Sequence, residues 1–505
     1  MVERQFQKLN FYLVGFAIVM ALLKFWMMVT VDSKVVVICA FLSLLLLGST
    51  INVGIGNLVP NHVKKKICFR IDFWLAVLTL WFTMLPFGLF GLSAFFKTSF
   101  PLTGYQFTWI TINRYWLLGC LITAYVVLLM VVLYLRRFIY YLATSYNKSF
   151  LQILTLSRRT ASLKDVGRSL LLIAIRIGWV MCLILFLSFI NYLVGQQFVF
   201  VLSLGIINLC VPLIEIKLLF RLLAIPVNSH IKLTGISVFG LFGALIFVSV
   251  LGVTYSSHRI LKPAQQEIIV HRGVIDNDGA PNTISALKKN SRYRFSYVEM
   301  DIQETKDHHF ICAHNDTLFI PGKGQREINL LKLKTIQRYH HVDLFREYLH
   351  IANNLEQPLI VELKVTNHSD KEMGKRFAEQ FGQQMLKQSN MVHSVGYNYL
   401  RQIKARYPKI RVGLVTMLNF SNLAKYKVDF YTLQHITLTP FLLRSIPSKR
   451  PVYAWTDDQS LTMKRLSMMG VDGQVTDQAI TLKDLTFNQK QNYWLLILNS
   501  IVTYL

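Results

Sequence analysis

Four short motifs, His271-Arg272-Gly273, Glu299-Met300-Asp301, His314-Asn315-Asp316 and Glu362-Leu363-Lys364, gather histidine, carboxylate and basic side chains. Ile268-Ile269-Val270 leads into His271, Tyr297-Val298 into Glu299 and Leu359-Ile360-Val361 into Glu362, so these polar groups follow short apolar runs of β type. Chemistry placed repeatedly at strand exits predicts a parallel strand-helix barrel, where the carboxyl ends of the strands share one rim. Glu299 and Asp301, two apart on a strand, point the same way and can grip one cation. Carboxylate donors without cysteine favour calcium or magnesium, leave manganese compatible and disfavour zinc. Arg272 and Lys364 suit phosphate oxygens, and His271 and His314 suit an acid-base pair. The chemistry is that of phosphate ester cleavage with a hard cation. Any one motif alone reads as an ordinary loop or a solvated strand edge; their ordered recurrence at four strand ends argues against that reading.

With Asn282-Thr283, Trp455-Thr456, Gly470-Val471-Asp472-Gly473 and Thr476-Asp477, these motifs stand in the order of the glycerophosphodiester phosphodiesterases, which the chain resembles from about residue 266 to 485. The resemblance implies a TIM-barrel (β/α)8 domain in which Glu299, Asp301 and Glu362 hold one divalent cation. It implies that His271 and His314 are the catalytic pair and that Trp455 lines the substrate pocket, although a strand position equally allows Trp455 a packing role. In that family the substrate's own glycerol hydroxyl attacks phosphorus, expels the alcohol and leaves a cyclic phosphate that water opens. One departure stands out: most members carry a glutamate before Asn-Thr, where this chain has Ala280-Pro281-Asn282-Thr283. The difference concerns the glycerol end of the site and leaves the carboxylate set intact.

The elements before this stretch are of another kind. Residues 1–255 are dominated by apolar runs, and the chain as a whole is 53% hydrophobic. Seven runs approach the 20 or so residues a bilayer-spanning helix needs, at about 11–31, 35–55, 73–96, 115–135, 169–194, 198–221 and 233–255. The predicted architecture is an α-helical multi-span membrane domain (1–255), a polar linker (256–266), the α/β barrel (267–485) and an apolar tail (486–505). Nine strand candidates are one too many for the barrel, so one is expected to be an edge hairpin. The tail is too short to span and is expected at the membrane interface or against the barrel. The first apolar run lacks a cleavage site and is expected to stay as a span. Residues 147–166 read either as a surface helix or as a plain connector. Within the spans, Arg176 lies 20 residues before Gln196 and Glu215 lies 19 after it. With a rise of about 1.5 Å per residue the two reach one depth, which predicts an ion pair across a helical hairpin.

Lys64, Lys65, Lys66 and Arg70, and then Arg136 to Arg168, load alternate loops with positive charge. The positive-inside rule then puts the amino terminus in the cytoplasm and the barrel outside the cell. Net charge is +27, and the barrel domain itself is strongly basic. That field attracts anionic lipid surfaces and polyanions. Glycerophosphodiesters, lipid head groups or a teichoic-acid-like polymer are the expected substrates, with membrane lipids as surroundings; no nucleic-acid motif accompanies the charge. Of six cysteines only Cys312 lies in the barrel, on an apolar strand, and it reads as core. The pairs His308-His309 and His340-His341 fall in polar turns and read as solvated. The whole arrangement is similar to the membrane-domain subgroup found in Gram-positive bacteria and predicts a membrane-anchored hydrolase. Two alternatives are a membrane protein that binds or senses a phosphodiester without cleaving it, and a transport module fed by the enzyme.

Overall fold

Leucine-, isoleucine- and phenylalanine-rich runs with almost no internal charge fold as long helices, because a helix satisfies every backbone polar group within its own segment. A computed structural model describes residues 2–30, 32–56, 58–225, 243, 245–247, 249, 266–485 and 492–504. Among these, five helices are long and apolar enough to cross a membrane: Phe11–Thr30, Ser33–Ile55, Arg114–Thr144, Leu163–Val194 and Gln197–Leu222. The expected seventh span, 233–255, and the linker 256–266 lie almost wholly outside the described residues.

The expected third span, 73–96, is a correction. Its helix ends at Met84, and Leu85-Pro86-Phe87 forms a single 3-10 turn. Gly88, Leu89, Phe90 and Gly91 then all take positive φ. Proline removes a helical donor and the left-handed run reverses the backbone, so apolar composition alone does not carry the helix through. Together with His62–Cys68, the Ile71–Phe87 stretch makes a pair bent by 67°. A side chain on Gly88 would meet the Tyr504 backbone at 2.8 Å, which fixes glycine there.

The chain divides into two units, one of Met1–Ser99, Leu118–His258 and Gln489–Leu505, the other of Phe100–Leu117 and Arg259–Asn488. In the first, Arg176 and Glu215 form the expected ion pair, both nearly inaccessible. The Phe90 amide donates to Glu215 (2.6 Å) and Arg176 donates to the Phe87 carbonyl (3.2 Å), so the broken third segment supplies partners to the pair. The apolar tail packs within this helical unit, not on the barrel. Tyr493 stacks on Phe200 at 5.1 Å, and Ser188 donates to the Trp494 carbonyl. Within 147–166 the chain forms a ten-residue helix, Phe150–Arg159, opened by a Ser149/Gln152 capping box.

The second unit is an eight-stranded parallel barrel with an antiparallel edge strand. In chain order the strands are β1 (Glu267–Val270), β2 (Tyr297–Glu304), β3 (Phe310–Cys312), β4 (Thr317–Ile320), β5 (Gly324–Glu327), β6 (Leu359–Leu363), β7 (Met391–Ser394), β8 (Arg411–Thr416), β9 (Phe430–Gln434), β10 (Val452–Trp455) and β11 (Gly473–Thr476). The order β1-β11-β10-β9-β8-β7-β6-β2 closes through β1–β2, and β3 pairs antiparallel on β2. The ninth strand is therefore the edge strand, while β4 and β5 form a separate hairpin. Ile269, Ile360, Met391, Phe430, Tyr453 and Val475 fill the barrel interior as one apolar plug.

The excursion Phe100–Leu117 belongs to this unit and lies on the loops that leave β7 and β8. Thr108 donates to the Val395 carbonyl (3.0 Å), and Phe107 stacks on Phe420 (6.0 Å) and meets Tyr426 at a tilt (5.5 Å).

Candidate active site

Strand register brings the chemistry together. Asp301 on β2 lies opposite Glu362 on β6, and Glu362 lies opposite His393 on β7. Partnered positions on parallel strands point to one face, and Glu299 shares that face with Asp301 by the two-residue period. Asp301, Glu362 and His393 are therefore in register, and Glu299, in register with Ile360 of the plug, lies one inward position earlier on β2.

One ligand atom each from Glu299, Glu362 and His393 falls within 4.8 Å of the others. The His393 ring is fixed by its Nδ1 contact with the Thr432 hydroxyl (2.9 Å). Its Nε2 is buried without a hydrogen-bond partner, 3.5 Å from Glu299 Oε1. A buried ring nitrogen without a partner, aimed at two carboxylates, is the donor set a divalent cation would complete. His393 stands out in the sequence by no motif; the polar residue at an inward strand position was the available signal.

Asp301 is held differently. Its carboxylate accepts from Asn282 Nδ2 (2.9 Å) and lies 3.4 Å from Arg272 Nε and 3.6 Å from Lys364 Nζ. Asn282 Oδ1 in turn accepts from the Asp301 amide (2.8 Å), and the Asn282 amide donates to the Arg272 carbonyl (2.9 Å). The Asn282-Thr283 motif is thus a clamp joining the first two strand ends. Thr283 then caps the helix Ile284–Asn290 through the Ala286 amide. Asp301 thus lies beside both cations and opposite Glu362 in the strand register.

Lys364 sits 3.3 Å from Glu362. Burial works to lower its pKa, but Glu362, Asp301, Asp316 and Glu299 outweigh burial and raise it, so the ammonium stays charged. Arg272 takes positive φ, as does Gly273, and this turn aims the Arg272 amide at Glu299 Oε2 (3.2 Å).

His271 leaves the end of β1, and its Nδ1 meets Asp477 Oδ1 at 2.9 Å. Burial alone would lower the His271 pKa; the Asp477 hydrogen bond and the Glu299 charge more than offset this and raise it overall. An Nδ1–H that donates to Asp477 leaves Nε2 as the working nitrogen. His314 lies in the loop after β3, half-buried, with Nδ1 3.1 Å from the Asn315 side-chain oxygen. That loop is stapled by buried Gln303, whose amide donates to the carbonyls of Asn315 (2.6 Å) and His314 (3.3 Å). Trp455, at the end of β10, donates from Nε1 to the Thr416 carbonyl (3.2 Å) and packs on the interior plug. Asp477 was visible in the Thr476-Asp477 motif, but its role is set by a partner 206 residues away.

The model of the glycerophosphoryl diester phosphodiesterase family matches residues 271–481. A protein of Bacillus subtilis named "Putative glycerophosphodiester phosphodiesterase YhdW" is 25% identical over 230 residues, 42% of this chain and 93% of its own. A glycerophosphodiester phosphodiesterase of Caldanaerobacter subterraneus is 23% identical over 239 residues, 43% of this chain and 96% of its own. Among solved structures, a phosphodiesterase of Oleispira antarctica in complex with sn-glycerol-3-phosphate shares 19% identity, with a TM-score of 0.39. That likeness covers 43% of this chain and 95% of the other.

Proposed function

We propose, from the premise that residues 271–481 form a domain of the glycerophosphoryl diester phosphodiesterase family, that this phosphoric diester hydrolase is membrane-anchored and cleaves glycerophosphodiesters to glycerol phosphate and an alcohol. The observation that carries the reading is the convergence at one barrel rim of the Glu299, Glu362 and His393 donors, the cations Lys364 and Arg272, and the His271–Asp477 pair.

Glu299, Glu362 and His393 would hold one divalent cation, magnesium or calcium, with manganese suited to the added imidazole donor. When bound, that cation supplies Lewis-acid polarisation of a phosphoryl oxygen. Lys364 and Arg272, braced by Asp301, bind the remaining phosphate oxygens and stabilise charge that builds on them. His271, oriented by Asp477, and His314, oriented by Asn315, present their Nε2 atoms to move protons to and from the attacking and leaving oxygens. Trp455 forms an apolar wall at the rim.

Five helices of spanning length support membrane anchoring. The distribution of basic loops supports an amino terminus inside and a barrel outside, where a glycerophosphate polymer or lipid head groups would be met. The test is to purify the full chain and offer it glycerophosphocholine, glycerophosphoglycerol and poly(glycerol phosphate), with and without magnesium or calcium after exhaustive chelation. Glycerol phosphate release that needs the added cation supports the reading. Binding of all three without turnover under every condition would favour a sensor instead.

A further inference from the structure

The described residues of the helical unit line a partly open cavity of about 300 Å³, almost wholly with aliphatic and aromatic side chains such as Leu75, Leu128 and Leu218. Its size falls at the lower end for ligand sites. Arg176 and Glu215 lie on its wall as a pair whose charges cancel, and Asp72 and Arg136 line it as well.

Arg136 shares Asp165 (2.9 Å) with Arg137 (3.5 Å) and Arg168 (4.0 Å), while Asp72 is taken by Arg70 (2.6 Å). Four arginines therefore face two aspartates, and this end carries excess positive charge. Arg136 Nε is buried and makes no hydrogen bond. Asp165 and Arg176 are eleven residues apart on one helix, Leu163–Val194. At about 1.5 Å per residue that separates the arginine cluster from the neutral pair by roughly 16 Å. One leaflet of hydrocarbon is about half of a 30 Å core, or roughly 15 Å. The cavity thus has the length of a single acyl chain, an apolar wall and a basic end.

We propose that this chamber binds an anionic phospholipid, with one acyl chain inside and the phosphate on Arg136, Arg137 and Arg168. Charge complementarity selects this occupant, since a basic pocket between spanning helices fits an acidic head group. Arg137 and Arg168 are the more exposed of the three, which leaves their donors available to a ligand while Arg136 holds Asp165.

The test reconstitutes the full chain in phosphatidylcholine vesicles that carry a trace of photoactivatable lipid. The probe has a diazirine at the end of one acyl chain, on either a phosphatidylglycerol or a phosphatidylcholine head. After irradiation, the phosphatidylglycerol probe should mark peptides of Ile71–Met84 and Arg114–Tyr134, with the phosphatidylcholine probe several-fold weaker. Arg137→Gln/Arg168→Gln, which spares the Arg136–Asp165 pair, should weaken phosphatidylglycerol labelling about tenfold. Ala76→Phe, which fills the cavity wall, should reduce labelling of those peptides. Monodispersity on size exclusion checks that each variant folds. Equal labelling by the two head groups, label spread evenly over all lipid-facing helices, or unchanged labelling in both variants would overturn the proposal. If a variant fails to fold, the head-group contrast and peptide map of the unaltered chain decide it.

Discussion

Asp477→Asn isolates the contribution of one hydrogen bond to the rim. The side chain keeps its size, and the backbone contacts of residue 477 with Asp276 and Asp458 survive. What changes is the charge 2.9 Å from His271 Nδ1. A hydrogen bond to a charged group contributes about 1.5–3 kcal/mol, and 1.36 kcal/mol corresponds to one pKa unit. Asp477 is 30% exposed and Glu299 still favours the imidazolium, so the lower end applies. The His271 pKa should fall. The sign follows from the raised native value: without Asp477 the imidazolium loses its proton at lower pH. In a profile of kcat/KM against pH, the limb that reports His271 should therefore move to lower pH. Loss of the orienting acceptor should also cut the maximal rate by about ten- to a hundredfold. The assay is glycerol phosphate release from glycerophosphocholine at saturating divalent cation between pH 5 and pH 10 (roughly the range in which histidine and its neighbours titrate). A limb that stays in place or moves upward refutes the role assigned to the pair, whatever happens to the rate.

The remaining predictions concern cation binding, packing and pH-dependent stability. His393→Ala should weaken divalent binding, read by calorimetry, by about ten- to a hundredfold; unchanged affinity would remove the imidazole from the donor set. Arg376→Ala strips the bidentate partner (2.6 and 3.1 Å) from buried Glu304 and should cost the barrel about 3 kcal/mol by denaturant unfolding, whereas a loss below about 1 kcal/mol would show Glu304 satisfied by others. Burial, with Asp458 adding to it, raises the Asp457 pKa well above the carboxylate range, and neither oxygen has a hydrogen-bond partner. Its stability contribution is complete below the unfolded value near 3.9 and declines as pH rises toward the folded pKa. Asp457→Asn should flatten that decline, so the variant gains on the parent as pH rises above about 4; parallel stability curves would count against a protonated Asp457.

Strand exits were legible because a parallel barrel forces polar rim residues to follow apolar runs, as His271 does after β1 and Glu362 does one residue before β6 ends; Glu299 instead lies inside β2, five residues before its end. The helices at Ile284–Asn290, Phe345–Asn354 and Ser460–Met469 likewise follow from local pattern. What pattern could not give was pairing. His393 is one polar residue in Met391-Val392-His393-Ser394, and only the register that sets it opposite Glu362 makes it a donor. Asp301 has the spacing from Glu299 that a shared ion needs, but no spacing shows that Asn282, Arg272 and Lys364 also reach it. Spacing fixes which face a side chain takes, and tertiary partners fix what it does there.

The helical unit divides along the same line. Arg176 and Glu215 could be paired from sequence because the helical rise is fixed and the very short Gly195–Gln197 turn sets the zero of depth, so counting residues measures position. The break at Pro86–Gly91 defeats counting: hydropathy averages over a window and registers neither a missing donor nor a left-handed backbone. The same break carries the Phe90 amide and Phe87 carbonyl to the ion pair. A continuous helix would keep both groups in its own ladder and leave the charges fewer partners in a low-dielectric setting. The irregular segment and the buried pair therefore account for each other: the charges are tolerated because the backbone is broken beside them, and the free backbone groups are tolerated because the charges satisfy them.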